Sequence, residues 1–295
     1  MRVCVIEPIG IPLSTIEAGL PGHEVTSFDS RGWSDEELLR ACAGAEIIAV
    51  TYRPISAAVI EGLPQLKMIA VAFAGVDHVD PAAKARGIVV RNAAGYADTA
   101  VAELVLGFML CLARDIPRHN SDIRDGGTAS VGTELRGKSV GIVGTGAIGS
   151  RVSELTSAFG MTTLPFDRDS ELPLSAVFAK SDFVTIHVPL TAGTRGMVSA
   201  ELLAAMKPTA FLINCARGPI VNAEALRDAL AAGELAGAAL DVFDIEPPLP
   251  ADYPLLSFSN VLATPHIGFD TSEALVDKGN LALAHIKEFI AAAPG

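Results

Sequence analysis

Arg217 and His266 each lie just beyond a short apolar run that reads as a strand, and Asp241 at the end of another, with Glu246 in the loop after it. If those runs share one parallel sheet, ligands gather outside its carboxyl ends, and the four residues converge there. Their types suit hydride chemistry on a 2-oxo acid. Arg217 can grip a carboxylate through two parallel N–H donors. Hydride arriving at a ketone leaves an alkoxide, and His266 can protonate it near neutral pH. A buried imidazole tends to be neutral, so a carboxylate must keep it charged, and Glu246 suits that task. Asp241 either orients the reacting end of a cofactor or supports Arg217. Two other histidines compete for the acid role: His187 at the end of a strand, and His78 in a loop of the N-terminal half. His23 and His119 read as loop residues and His285 as a helix residue.

A second constellation is Gly144-Thr145-Gly146-Ala147-Ile148-Gly149, a G-x-G-x-x-G run between an apolar strand and a helix. Gly144 permits the tight turn, Gly146 lets backbone approach a pyrophosphate, and Gly149 lets helix and strand pack closely. The helix start adds free N–H groups and a positive dipole end. Asp167 closes the next strand, where it would accept hydrogen bonds from ribose hydroxyls and repel a 2′-phosphate, so NAD is expected over NADP. Arg168 reads as a solvated loop charge.

These residues need a scaffold of alternating strands and helices. Strands are expected over 3–6, 25–28, 46–50, 66–73 and 88–91, with helices over 34–43, 56–61 and 81–86. Ser34 and Glu37 form a capping-box pattern. A helix over 98–114 is apolar nearly all round, which calls for burial by a core, a second domain or a second subunit. A loop over 117–137 follows. The alternation then resumes with strands over 139–143, 162–166, 183–188, 210–214, 238–243 and 261–264. Helices are expected over 147–159, 174–180, 199–206 and 223–232, and a last one over 270–293 opened by Asp270 and Glu273. Short apolar strands between helices indicate parallel sheets covered on both faces.

Composition agrees. The 295 residues allow two domains, and 50% hydrophobic content with mean hydropathy +0.41 excludes wholesale disorder. A net charge of −12 disfavours nucleic acid and anionic membranes as partners. Anionic ligands must then be held locally, by backbone amides and single arginines. Cys4, Cys42, Cys111 and Cys215 are scattered, which suits reduced thiols and neither a disulfide framework nor a metal site. A cytoplasmic protein is expected, since the start lacks the pattern of a signal peptide.

The segments Asn214-Cys215-Ala216-Arg217-Gly218, Asp241-Val242-Phe243-Asp244-Ile245-Glu246-Pro247 and Thr264-Pro265-His266-Ile267-Gly268 resemble the signatures of the D-isomer-specific 2-hydroxyacid dehydrogenases, which include glycerate, hydroxypyruvate and glyoxylate reductases. Further similar segments include Ala74-Gly75-Val76-Asp77-His78-Val79-Asp80, Asn92-Ala93-Ala94-Gly95-Tyr96, Ala100-Val101-Ala102-Glu103 and Leu135-Arg136-Gly137-Lys138. The resemblance implies two doubly wound, Rossmann-like or flavodoxin-like parallel-sheet domains with a cleft between them. Residues 1–95 plus 267–295 would form a substrate domain, and 96–266 an NAD-binding domain. It implies an Arg217–Glu246–His266 trio, and a substrate carboxylate held by backbone amides of Ala74, Gly75 and Val76. Tyr52 and Arg53 follow a strand end and join the expected substrate pocket, Arg53 either as a contact for a second anionic group or as a surface salt bridge, while Phe73 would instead shape a small or apolar pocket. The expected cofactor-lining set adds Val188, Pro189, Cys215, Ala216, Arg217, Asp241 and His266 to the glycine loop and Asp167. A homodimer through the NAD-binding domain, with the 98–114 helix near its interface, is implied as well.

Departures from the family pattern are an abbreviated segment after Asp167, the lack of a Trp in 126–133, and the absence of a regulatory domain after His266. Cys215 stands where a small apolar residue is common and reads as a buried thiol. Two alternatives use the same scaffold. Formate dehydrogenases pair Gln with His, against Glu246, and phosphite dehydrogenases are expected to carry Lys where Ala74 stands. A non-enzymatic NAD-sensing corepressor could retain the trio, but the chain lacks long interaction tails.

Overall fold

The computed structural model describes residues 1–245 and 248–293. It divides into two compact units, Met1–Ala97 with Asp270–Gly295, and Asp98–Phe269. The expected junctions were 95/96 and 266/267; the observed ones fall at 97/98 and 269/270.

The first unit is built on β1 (Arg2–Val5), β2 (Glu24–Ser27), β3 (Ile47–Val50), β4 (Met68–Val71) and β5 (Val89–Asn92), all parallel, in the order β2-β1-β3-β4-β5. This is a flavodoxin-like order, with its switch point between β1 and β3. β3 and β4 are buried at every residue, as strands covered on both faces must be. Four helices of this unit precede its fifth strand: α1 (Leu13–Gly19), α2 (Asp35–Ala41), α3 (Ala57–Gly62) and α4 (Ala82–Ala85). The capping box forms as expected, Ser34 taking the Glu37 N–H and the Glu37 carboxylate taking the Ser34 N–H. α1 was not expected from sequence. Its Pro12 cap offers no side-chain oxygen, and Ile16 is its one buried residue.

The second unit holds β6 (Ser139–Val143), β7 (Thr162–Phe166), β8 (Phe183–Ile186), β9 (Phe211–Asn214), β10 (Gly237–Leu240) and β11 (Val261–Ala263), parallel, in the order β11-β10-β9-β8-β6-β7. The usual dinucleotide-binding order places two strands beyond the glycine-bearing strand. Among the described residues β7 stands there alone, as the abbreviated segment after Asp167 leaves room for no further strand. The switch point lies between β6 and β8.

α5 (Asp98–Arg114) packs on α7 (Ala147–Ala158) and touches β9 and β10, burying Val101, Ala102, Val105, Phe108 and Met109. Its other apolar residues, including Leu104, Leu106, Leu110 and Leu112, are half-buried, so the helix is not enclosed on all sides. The expected loop over 117–137 begins instead with α6 (Ile116–Asp122), started by Asp115 in a left-handed conformation. α8 (Leu174–Lys180), α9 (Ala200–Ala204) and α10 (Ala223–Ala232) complete the second unit, and α11 (Ser272–Ala292) packs on the first. Its N-cap is Thr271, whose side chain accepts the Ala274 N–H, rather than Asp270. Among the described residues, no helix is long and apolar enough to cross a membrane.

Candidate active site

The glycine loop leaves β6 at its carboxyl end, at the switch point. Gly144 has φ +101°, a conformation side chains avoid, and a Cβ there would lie 2.7 Å from the His187 carbonyl. That approach brings the loop against the β8 end, where Val188 and Pro189 follow. A Cβ on Gly149 would lie 2.0 Å from the Gly144 carbonyl oxygen, so this glycine lets helix and loop close on each other. Gly146 differs. It is the N-cap of α7, no side chain caps that helix, and a Cβ there would meet nothing within 4 Å. The first-turn amides of α7, including those of Ala147, Ile148 and Gly149, have no intrahelical acceptor and lie at the positive end of the dipole. A cradle of free amides with space above Gly146 fits a pyrophosphate.

Asp167 sits just past β7, beside this cradle. Its Oδ2 accepts the Thr145 hydroxyl at 2.7 Å and its Oδ1 the Asp169 N–H at 3.0 Å, and these bonds, the first foremost, hold its pKa below the ordinary carboxylate value. It is exposed, and so is Arg168. An ionised, oriented carboxylate at this position fits two ribose hydroxyls.

His187 is not suited to the acid role. Its Nε2 lies 2.9 Å from the Thr185 hydroxyl, and burial lowers its pKa to about 4. It is therefore neutral at physiological pH.

Successive loops after β9, β10 and β11, neighbours in the sheet, carry Arg217, Asp241 and His266. Asn214 ends β9 and shapes the first loop: its Oδ1 takes the Ala216 N–H at 3.0 Å and its Nδ2 donates to the Arg217 carbonyl at 3.0 Å. The Arg217 guanidinium donates to the Ala216 carbonyl at 2.7 Å. A Cβ on Gly218 would collide with the Phe243 carbonyl, so this glycine lets the β9 and β10 loops touch. Cys215 is buried, and burial, with the nearby Asp241 charge, pushes its thiol pKa up, as an inert packing thiol requires.

Asp241 is 1% exposed. Its Oδ1 accepts the Thr264 hydroxyl at 2.5 Å and the Ile267 N–H at 2.8 Å, and its Oδ2 accepts the Gly268 N–H at 2.7 Å. These donors straddle His266. Burial raises the Asp241 pKa, and the three donors together with the His266 ring pull it back. His266 itself has φ +57°, one of two non-glycine residues in that region among those described. Such a conformation costs about 1–3 kcal/mol and clusters at functional sites. The imidazole meets the Phe269 ring edge-on, with centroids 5.6 Å apart. Sequence reading found Asp241 and His266 but not Thr264, Ile267 and Gly268 as their supports; the signal was a Thr two residues before the His and a Gly two after. Glu246 lies outside the described residues.

The first unit presents its own loops. Glu7, 3% exposed just past β1, accepts the Thr51, Tyr52 and Arg53 N–H groups on one oxygen, at 2.9, 2.7 and 2.9 Å. The Arg53 guanidinium is spent on the Ser30 and Trp33 carbonyls, each at 2.8 Å, and on Asp35 at 3.2 Å. Of the two readings of Arg53, the ion pair is the one seen here, with Asp35, and it ties loops of this unit together. Tyr52 is half exposed, its ring 4.9 Å from Phe73, whose ring lies 6.2 Å from Tyr96; the Lys278 ammonium stands 5.8 Å from the Tyr52 ring centre. Ala74 and Val76 are exposed and Gly75 is half-buried. The His78 carbonyl accepts the Ile55 N–H, tying that loop to the chain after β3.

A sequence profile described as the NAD-binding domain of D-isomer specific 2-hydroxyacid dehydrogenases matches residues 106–268. The chain is 36% identical over 291 residues to a glycerate dehydrogenase of Methylorubrum extorquens, covering 92% of this chain and 91% of that protein. It is 38% identical over 276 residues to a D-3-phosphoglycerate dehydrogenase of Methanocaldococcus jannaschii, covering 88% of this chain but 52% of that one, so it spans about half the length of that relative. Among solved structures, an acyclic imino acid reductase in complex with NADPH and D-arginine superposes with a TM-score of 0.88 at 27% identity, covering 100% of this chain and 98% of that one. The chain belongs to the D-isomer specific 2-hydroxyacid dehydrogenases, and its second unit carries that family's NAD-binding domain.

Proposed function

We propose that this chain is an NAD(H)-dependent oxidoreductase that interconverts a small 2-oxo acid and its D-2-hydroxy acid. The observation that carries the reading is the shared carboxyl edge of one sheet: an uncapped helix start behind Gly146 at the switch point, with Arg217 and His266 on loops of the same edge. When bound, NAD(H) supplies or accepts the hydride. The α7 amides and glycine loop hold its phosphates, Asp167 its ribose, and Val188, Pro189, Cys215, Ala216 and Asp241 line the remainder. Arg217 binds the substrate carboxylate and polarises its carbonyl. His266 delivers a proton to the developing alkoxide in reduction and removes it in oxidation, with Glu246 favouring the charged imidazole. Of the first unit, the backbone amides of Ala74, Gly75 and Val76 are carboxylate donors and Tyr52 is a substrate contact. Asp167 makes NADH the preferred partner; the imino acid reductase with NADPH is the relative against which that preference is to be measured. The half-buried apolar residues of α5 support a homodimer through the NAD-binding domain.

The test is a panel of glyoxylate, hydroxypyruvate, pyruvate and 3-phosphohydroxypyruvate with NADH and NADPH, followed at the nicotinamide absorbance, with the chirality of the product determined. Reduction of at least one to the D-isomer, faster with NADH, is expected. No turnover of any 2-oxo acid would favour a cofactor-sensing role.

A further inference from the structure

We infer that Thr145 is a positioning residue that acts through Asp167: its hydroxyl holds that carboxylate in one orientation and so sets the preference for NADH over NADPH. This rests on Asp167 reading the cofactor ribose, as proposed above. The two residues leave neighbouring strand ends side by side. The Gly144 N–H donates to the Phe166 carbonyl at 2.8 Å, and Thr145 and Asp167 are the next residues along the two chains. The Thr145 hydroxyl then donates to Asp167 Oδ2 at 2.7 Å. Thr145 is itself tied from the helix side, where the Ser150 hydroxyl donates to its carbonyl at 3.0 Å. The carboxylate is thereby anchored to the glycine loop, the same loop that is fitted to the phosphates.

The other printed support of Asp167 comes from its own loop. Its Oδ1 accepts the Asp169 N–H at 3.0 Å and the Ser170 hydroxyl at 3.3 Å, and the Ser170 oxygen takes the Asp167 N–H at 2.8 Å. These bonds move with the loop. Asp167, Arg168 and Asp169 are exposed, and among the described residues β7 is the edge strand, so no further strand steadies them. Thr145 is the donor that reaches Asp167 from a different element. A carboxylate already held in place loses less freedom when it binds a ribose. The Thr145 bond is also the foremost cause of the lowered Asp167 pKa, so the charge that repels a 2′-phosphate is kept.

The experiment measures NADH and NADPH dissociation constants by nicotinamide fluorescence, without substrate, for the wild type, Thr145→Val, Thr145→Ser and Asp167→Ala. Valine keeps the shape of threonine and removes the donor. Thr145→Val should weaken NADH by about 5-fold and leave NADPH within about 2-fold, so the preference narrows. Thr145→Ser keeps the hydroxyl and should restore the wild-type preference. The bond lies at the surface, so the melting temperature of Thr145→Val should match that of the wild type. Equal weakening of both cofactors would make Thr145 a prop of the glycine loop alone and overturn the inference. Unchanged constants, or tighter NADH, would overturn it as well, since the hydroxyl would then be idle or a competitor of the ribose. Asp167→Ala separates the two levels. If it keeps the wild-type preference, Asp167 does not read the ribose, and the reading beneath the inference fails with it. If it narrows the preference while Thr145→Val does not, the inference alone fails.

Discussion

The two sheets each have a switch point, and the chain treats them in opposite ways. In the first unit the crevice between β1 and β3 is closed by the protein itself: Glu7 places one carboxylate oxygen against three successive amides, those of Thr51, Tyr52 and Arg53. In the second, between β6 and β8, the amides at the start of α7 have no side-chain cap and Gly146 faces open space. Both are anion sites made of backbone N–H groups. One holds an internal anion and is structural; the other awaits an external one. An acidic chain can thus bind a pyrophosphate without surrounding it with lysines, because the amides and helix dipole act at contact range.

The sharpest break in this comparison would come from the catalytic edge. Arg217→Ala should lower kcat/KM for any 2-oxo acid by roughly 10²–10³-fold while NADH binding stays nearly intact. Steady-state kinetics with a parallel fluorescence titration would check it, and retained turnover would remove Arg217 from the substrate.

Next come the two anion sites themselves. Gly146→Ala should fold with an unchanged melting temperature, since its Cβ meets no protein atom, yet should weaken NADH at least about 10-fold, a loss of about 1.4 kcal/mol. Glu7→Ala should do the reverse. It strands the buried Thr51 N–H, at about 1–3 kcal/mol, and removes the acceptor of the part-buried Tyr52 and Arg53 N–H groups, so melting should fall by several degrees while NADH affinity is kept. Thermal unfolding and titration of both variants would decide. If Gly146→Ala bound NADH normally, the open cradle would lose its ligand.

A smaller effect follows from His187. Its folded pKa of about 4 lies below the unfolded value, so the unfolded chain binds more protons between those limits. Its contribution to stability is therefore complete at neutral pH and is lost as pH falls toward 4. His187→Gln should flatten that acid-side loss in melting temperature and leave the catalytic pH profile in place. A changed catalytic profile would reinstate it as a proton donor. The smallest expected change is in Asp167→Ala, which should narrow the NADH-to-NADPH preference with little effect on NADH turnover itself.

Much of the second unit was legible in the sequence because its devices are local. Gly144, Gly146 and Gly149 announce a turn and helix start by spacing, and Asp167 follows at the next strand end. Strand order was not legible, and the missing third strand beyond β7 showed only as a short segment after Asp167. What escaped was mostly long-range. Arg53 reads equally as a substrate contact or a surface ion pair, and its capture by the carbonyls at 30 and 33 with Asp35 has no local signal. Glu7 reads as the end of a strand, and its three partners lie over forty positions away. The left-handed backbone of His266 has no signature in residue type, and the Asp241 carboxylate that bonds the turn on either side of it comes from the preceding strand end.

The central claim is that the open edge moves a hydride to a 2-oxo acid with His266 giving the proton. A single-turnover measurement tests it most directly: protein premixed with NADH is mixed rapidly with glyoxylate or hydroxypyruvate, for the wild type and for His266→Asn. Asparagine tolerates the left-handed conformation, so the turn persists while the proton donor is lost. The account predicts rapid loss of nicotinamide absorbance in the wild type and a rate lower by about 10²–10⁴-fold in the variant, with NADH affinity equal in both. Equal rates in the two proteins would contradict it.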